Sequence, residues 1–150
     1  MKKILALLTA VAVGALTFWI FQEPILASQP KWQKIKIGSA EVKVEMADTV
    51  IKRYRGLSGR KFLLQDQGML FAFPAAGHYG FVMRGMKFPL DFVWLDANKK
   101  VVETTTHIKP SSYPKVFRPS RPVQYVLEVN AGWVEKNNIQ PGLSVSGLVP

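Results

Sequence analysis

Lys2 and Lys3 precede an uncharged run from Ile4 to Phe21, and this order limits which residues can enter a folded domain. A positive start followed by an apolar core is the pattern of a secretory leader. The run holds about 18 residues, long for a leader core and just short of the roughly 20 that cross a bilayer. Two fates are open: cleavage after Ala27, beyond Pro24-Ile25-Leu26, or retention as a membrane anchor. In either case the two lysines place the carboxyl-terminal part outside the cytoplasm by the positive-inside rule. The chain therefore reads as a signal peptide or signal anchor over residues 1–27, a linker and first strand over 28–40, and a β-rich domain over 41–150. Its expected location is periplasmic or otherwise extracytoplasmic, with residues 4–21 as the inner-membrane anchor if they are kept.

About 120 residues remain after the leader, enough for one domain core and too few for two. The chain has no cysteine, so disulfides, thiol catalysis and thiolate metal sites are excluded. Its formal charge is +10. The leader contributes Lys2, Lys3 and Glu23, a net +1, which leaves +9 on the exported part. Such a field favours anionic partners, here an envelope component or a membrane surface. Nucleic acid is not expected at that location.

Beyond the linker the hydrophobic pattern has mostly a period of two. Trp32 to Ile37 and Glu41 to Met46 alternate around Gly38-Ser39, as in a hairpin. Asp48 is placed to cap a short helix bearing Val50, Ile51, Tyr54 and Leu57 on one side, with Gly56 suited to ending it. Gly68 to Phe73 puts Met69, Phe71 and Phe73 on one strand face, with Tyr79 to Met83 expected as its partner. Leu90 to Leu95 and Lys100 to Thr106 flank a polar hairpin break at Asp96 to Lys99. The stretch Lys109 to Pro122, with four prolines, cannot be a central strand and should be an exposed loop. Val123, Tyr125, Leu127 and Val129 share a face of another strand; Asn130 is then expected to cap a second short helix through Trp133 and Val134. A final strand follows near Leu143 to Leu148. The expectation is a mainly β domain, a single compact antiparallel sandwich or barrel with two short helices, behind an apolar leader helix.

Three blocks carry a resemblance. They are Arg55-Gly56-Leu57-Ser58-Gly59-Arg60 with Gly68 to Phe73, then Phe81-Val82-Met83-Arg84 with Phe88 to Asp96, and Tyr125 to Gly132 with Gly142 beyond. In order and spacing they resemble the family of small domains known as domain of unknown function number 192, over roughly Glu41 to Val145. The resemblance implies a compact β-rich domain, often behind a signal or anchor segment in bacteria, and no established activity. The chain departs from the family pattern at Val82, where Trp is usual, at Gly85 and Met86, where Asn and Thr are usual, and at Leu143, where Asp commonly follows the glycine. If those polar groups form a site, this chain has an altered one.

The candidate ligand-binding residues are Arg60, Arg84, Asp91 and Glu128, charged groups set in apolar blocks. Asp91 shares its strand face with Val93 and Leu95, so its carboxylate needs a partner, and an arginine is the natural one. The competing reading is a structural ion pair. Asp91 and Glu128 also raise an envelope glycan hydrolase as an alternative, through paired carboxylates. His78 and His107 with Met69, Met83 and Met86 raise a periplasmic metal-binding protein as another. Their spacing fits no dedicated motif, so no metal or other cofactor is expected. Ser58 lacks nucleophile-elbow spacing, and no glycine-rich phosphate loop follows a strand. The reading leans away from an enzyme and toward non-enzymatic binding of a small ligand or envelope component. The basic loop, with Tyr113 and Phe117 among its charges, suits contact with an anionic surface.

Overall fold

The alternating segments pair into one sheet. The structure is a computed structural model that describes residues 31–148; the leader, its proposed helix and its cleavage point lie outside the described residues. The strands are β1 (Trp32–Ile37), β2 (Ala40–Ala47), β3 (Gln67–Gly77), β4 (Leu90–Leu95), β5 (Val101–Ile108), β6 (Val123–Asn130) and β7 (Val145–Ser146). Two short helices, α1 (Val50–Arg55) and α2 (Trp133–Lys136), complete the mainly β architecture. The order across the sheet is β5-β4-β6-β3-β2-β1-β7.

The expected hairpins β1–β2 and β4–β5 are both present. The pairing is not antiparallel throughout. β2 and β3 run parallel, because residues 48–66, including α1, return the chain to the starting end before β3 begins, and parallel neighbours need such a crossover. The expected strand over Tyr79 to Met83 is also absent. β3 pairs with β2 and β6 instead, while Phe81 makes a lone bridge to Phe117 of the proline-rich loop.

The sheet curls until its edges approach. Lys100 and Ser144 form a bridge, and Val145 N–H donates to the Lys99 carbonyl at 2.9 Å and Val101 N–H to that of Leu143 at 2.8 Å. The arrangement is a curled sheet approaching a barrel rather than a two-sheet sandwich. Both faces bury apolar side chains, which explains why every residue of β4 is buried. The inner cluster joins Ile35, Val44, Leu70, Val93, Leu127 and Val145 with Trp133 and Val134 of α2. The outer cluster is aromatic: the Phe81 ring lies 4.8 Å from Phe71 and 5.6 Å from both Phe92 and Trp94. Long loops cover that outer face through Leu57, Leu63 and Met83.

Both helix caps differ from expectation. Thr49, not Asp48, caps α1: its hydroxyl accepts from the Lys52 N–H at 3.2 Å, while Asp48 takes the Lys52 ammonium at 2.8 Å. Gly56 ends the helix as expected, at φ 52°, a left-handed geometry that favours glycine. The apolar side of α1 does not face the core, since Val50, Ile51 and Tyr54 are exposed and only Leu57, past the helix end, is buried. At α2 the residue before the helix is Gly132, with no side-chain cap. Asn130 instead donates to the carbonyls of Leu63 and Leu64 at 2.9 and 3.0 Å.

Candidate functional site

Strand parity decides which charged residues meet. In the β4–β6 ladder Asp91 faces Val129 and Phe92 faces Glu128. Directly paired residues share a face and successive residues alternate, so Asp91 points into the inner cluster and Glu128 toward the outer one.

Asp91 is fully buried. One carboxylate oxygen accepts from the His107 N–H at 2.8 Å and the other from the Val134 N–H at 3.1 Å. Val134 is in the first turn of α2, so Asp91 supplies from a neighbouring strand the cap that Asn130 does not. The expected arginine partner is replaced by two backbone donors. Asp91 thus stands apart from the other three candidates, and it cannot flank one glycosidic bond together with Glu128. The paired-carboxylate chemistry of the hydrolase alternative fails on this geometry.

Glu128 lies at the floor of a cleft of about 340 Å³. One wall is the end of α1 and the following turn, Arg53 to Ser58; the other is the segment from Tyr79 to Met86, with Phe71 and Phe73 of β3 between them. Gly68 brings β3 close to β6 beneath the cleft, since a Cβ there would lie 2.8 Å from the Glu128 carbonyl oxygen. The walls are tied together. Arg84 donates to the Tyr54 carbonyl at 2.7 Å with its guanidinium carbon 4.1 Å from the Tyr54 ring centre. The Ser58 hydroxyl donates to the Arg84 carbonyl at 2.7 Å, and the Gly59 N–H to that of Gly85 at 2.9 Å. Arg53 donates to the Ala72 carbonyl at 2.7 Å and stacks near Phe73.

Glu128 is 6% exposed, and its side chain makes no hydrogen bond among the described residues. Burial pushes its carboxyl up to about 8, and nearby Arg60 only partly offsets that. Glu128 is therefore mostly protonated at neutral pH and can donate a hydrogen bond into the cleft. Arg60 itself turns to Glu45 in a half-buried ion pair and does not line the cleft. Of the four candidates, then, Arg84 and Glu128 share the cleft, Arg60 flanks it, and Asp91 belongs to the opposite face. Sequence reasoning missed Arg53, Tyr54, Arg55, Phe73 and Tyr79 as wall residues. The available signal was the Arg-Tyr-Arg run at the end of a helix too short to bury a full apolar stripe.

The methionines gather in apolar packing, Met86 lying against the outer cluster. Met69 and Met83 are buried in the outer cluster, His78 lies 3.1 Å from the Pro119 carbonyl, and His107 lies 3.7 Å from Glu135. Among the described residues no group of three or more His, Asp or Glu side chains could hold a metal. The proline-rich segment is a loop as expected, with one short 3-10 turn at Pro110–Ser112. Phe117 packs inward 6.0 Å from Phe92, whereas Tyr113 is exposed.

The comparisons agree with this architecture. The family described as Uncharacterized ACR, domain of unknown function number 192, matches residues 33–147. The chain belongs to that family. A UPF0127 protein of Pyrococcus furiosus is 30% identical over 67% of this chain and 83% of its own length. One of Thermococcus kodakarensis is 28% identical over 69% of this chain, and the match spans 64% of that relative, just under two thirds. Among solved structures, a Sinorhizobium meliloti protein described as a proposed transcription regulator superposes with a TM-score of 0.75 at 26% identity, covering 79% of this chain and 95% of its own. A Novosphingobium aromaticivorans protein of unknown function gives 0.74 at 24% identity, over 79% of this chain and 87% of its own, and shows the same fold. Val82 and Met86 lie on the cleft wall, and Gly85 packs beside Ser58.

Proposed function

We propose that this chain is an exported, non-enzymatic domain of the cell envelope that holds a small ligand in the cleft above Glu128. The observation that carries the reading is a largely buried acid that no described residue hydrogen-bonds and that lines an open cavity. Its carboxyl is left to meet whatever enters the cavity, whereas a purely structural acid, as Asp91 illustrates, has its partners built in. Arg84 and Glu128 are the contacts, and Arg60 acts through the field it imposes on Glu128. Val82 and Met86, both apolar, line the cleft and suit a ligand with an apolar part.

The charged-then-apolar amino terminus supports export, and the basic surface suits proximity to anionic head groups, whether the leader is retained or cleaved. Fractionation with amino-terminal sequencing checks the location: protein in the cytoplasmic fraction with an intact start removes the export half of the proposal. The binding half is checked by native mass spectrometry of the full chain isolated from its own cells. A small-molecule adduct on the wild type that is lost from Glu128→Leu, with both proteins folded, is the expected result. Equal masses without an adduct in both would refute it.

A further inference from the structure

We infer that the ligand of this cleft is a small organic anion, a carboxylate or phosphate ester on an apolar body, with its charged end among Arg84, Arg55 and Arg53. This rests on the cleft being a ligand site and names the chemistry that would fill it. Three arginines line the cavity and Glu128 is the one acidic residue in its lining. Each guanidinium carries five donors. Arg84 donates to the Tyr54 carbonyl, and Arg53 donates to the carbonyls of Asp48 and Ala72. Neither meets a carboxylate there. Of the neighbouring acids, Glu45 pairs with Arg60 and Asp48 with Lys52, and Asp48 also feels the charge of Arg53. The lining therefore holds more positive than negative charge, three arginines against one acid, around a cavity walled by Phe71, Phe73 and Tyr79.

An amine is disfavoured because it would sit among three cations and would require Glu128 to ionise in a buried position. A carboxylate or phosphate meets the guanidinium forks with charge-assisted hydrogen bonds and accepts one more from the protonated Glu128. The cavity volume suits a small molecule rather than a polymer segment, and its aromatic walls suit an apolar body.

The test is a titration of the full-length protein with four one-ring probes: benzoate, phenyl phosphate, benzamide and benzylamine. Amide resonances of Gly56, Ser58 and Gly80 report occupancy of the cleft, and calorimetry reports affinity. Benzoate or phenyl phosphate should bind at least about tenfold more tightly than benzamide, and benzylamine should not shift these resonances. Which of the two anions binds better distinguishes a carboxylate ligand from a phosphate one. Arg84→Gln should weaken anion binding about tenfold. Because Arg84 also ties the two walls, Arg55→Gln, at an exposed position, provides a second variant with an unchanged melting curve and the same expected loss. Benzamide or benzylamine binding as tightly as benzoate would overturn the anion assignment while leaving the cleft a ligand site. No cleft response to any probe would overturn it too, with the native adduct measurement still judging the broader reading separately.

Discussion

Replacing Glu128 with Gln should make the protein more stable at neutral pH. Folding moves this carboxyl from an ordinary value of 4.5 up to about 8 because burial disfavours its charged form. At about 1.4 kcal/mol per pH unit, ionising it in the folded state costs about 5 kcal/mol in full. The residue is 6% exposed, so solvent screening takes little from that figure. The sign follows from proton counting. Between pH 4.5 and 8 the folded protein keeps a proton that the unfolded chain has released, so stability falls as pH rises through this window and levels off above it. At pH 7 the penalty is about 3 kcal/mol.

The Gln amide copies the shape of the protonated carboxyl and has no charge to lose. Glu128→Gln should therefore gain about 3 kcal/mol at pH 7, a rise in melting temperature on the order of 10 °C for a domain of this size. Urea unfolding of both proteins at pH 5, 7 and 9 measures it. The wild type should lose about 4 kcal/mol from pH 5 to 9, and the variant should be nearly flat. Glu41, Asp48 and Asp66 do not confound the window: their carboxyls are held low, mainly by hydrogen bonds from Lys34, Lys52 and Lys43, and their contributions are lost only below it. Equal wild-type stability at pH 5 and 9, or a variant weaker than wild type at pH 7, would refute the reasoning.

Two further substitutions separate fold from cleft. Asp91→Asn removes one of two charge-assisted acceptors and should cost about 1–3 kcal/mol by thermal melting, while the native ligand adduct is unchanged; loss of the adduct with an unchanged melting curve would return Asp91 to the site. Gly68→Ala places a methyl 2.8 Å from the Glu128 carbonyl oxygen, and the required separation of β3 from β6 should cost about 1–3 kcal/mol, readable in the same melt.

How much of this was legible in the sequence depends on the range of the interaction. The hairpins, the face carrying Met69 and Phe71, the exposed proline-rich loop and the glycine stop of α1 follow from neighbours within a few residues, and all are found. The parallel β2–β3 pair and the edge closure through Lys100 and Ser144 join segments far apart in the chain, where alternation is silent about the partner. The caps failed for a related reason. Thr49, next to the helix start, caps α1 while Asp48 pairs with Lys52, and α2 took its cap from β4, a distant strand. Of the site, the sequence found Arg84 and Glu128 because charged residues stand out in apolar blocks. The aromatic and arginine walls did not stand out, since each of those residues has an ordinary structural use.

Asp91 and Glu128 look alike in sequence, each a lone acid in a buried strand, and their separation turns on register. The faces could be read strand by strand: Asp91 with Val93 and Leu95, and Glu128 opposite Leu127 and Val129. What alternation does not give is how β4 slides along β6. With Asp91 beside Val129 the two acids part to opposite faces, and a one-residue slip would put them on the same one. The register is held by the inner cluster, where Val93 and Leu127 are directly paired, and by Asp91 itself, whose bond to Val134 fixes α2 against β4. The acid with its donors built in thus belongs to the alignment that turns the other acid toward the cleft. A change that loosens Asp91 should reach Glu128 only through that register, which is why its first readout is melting and not binding.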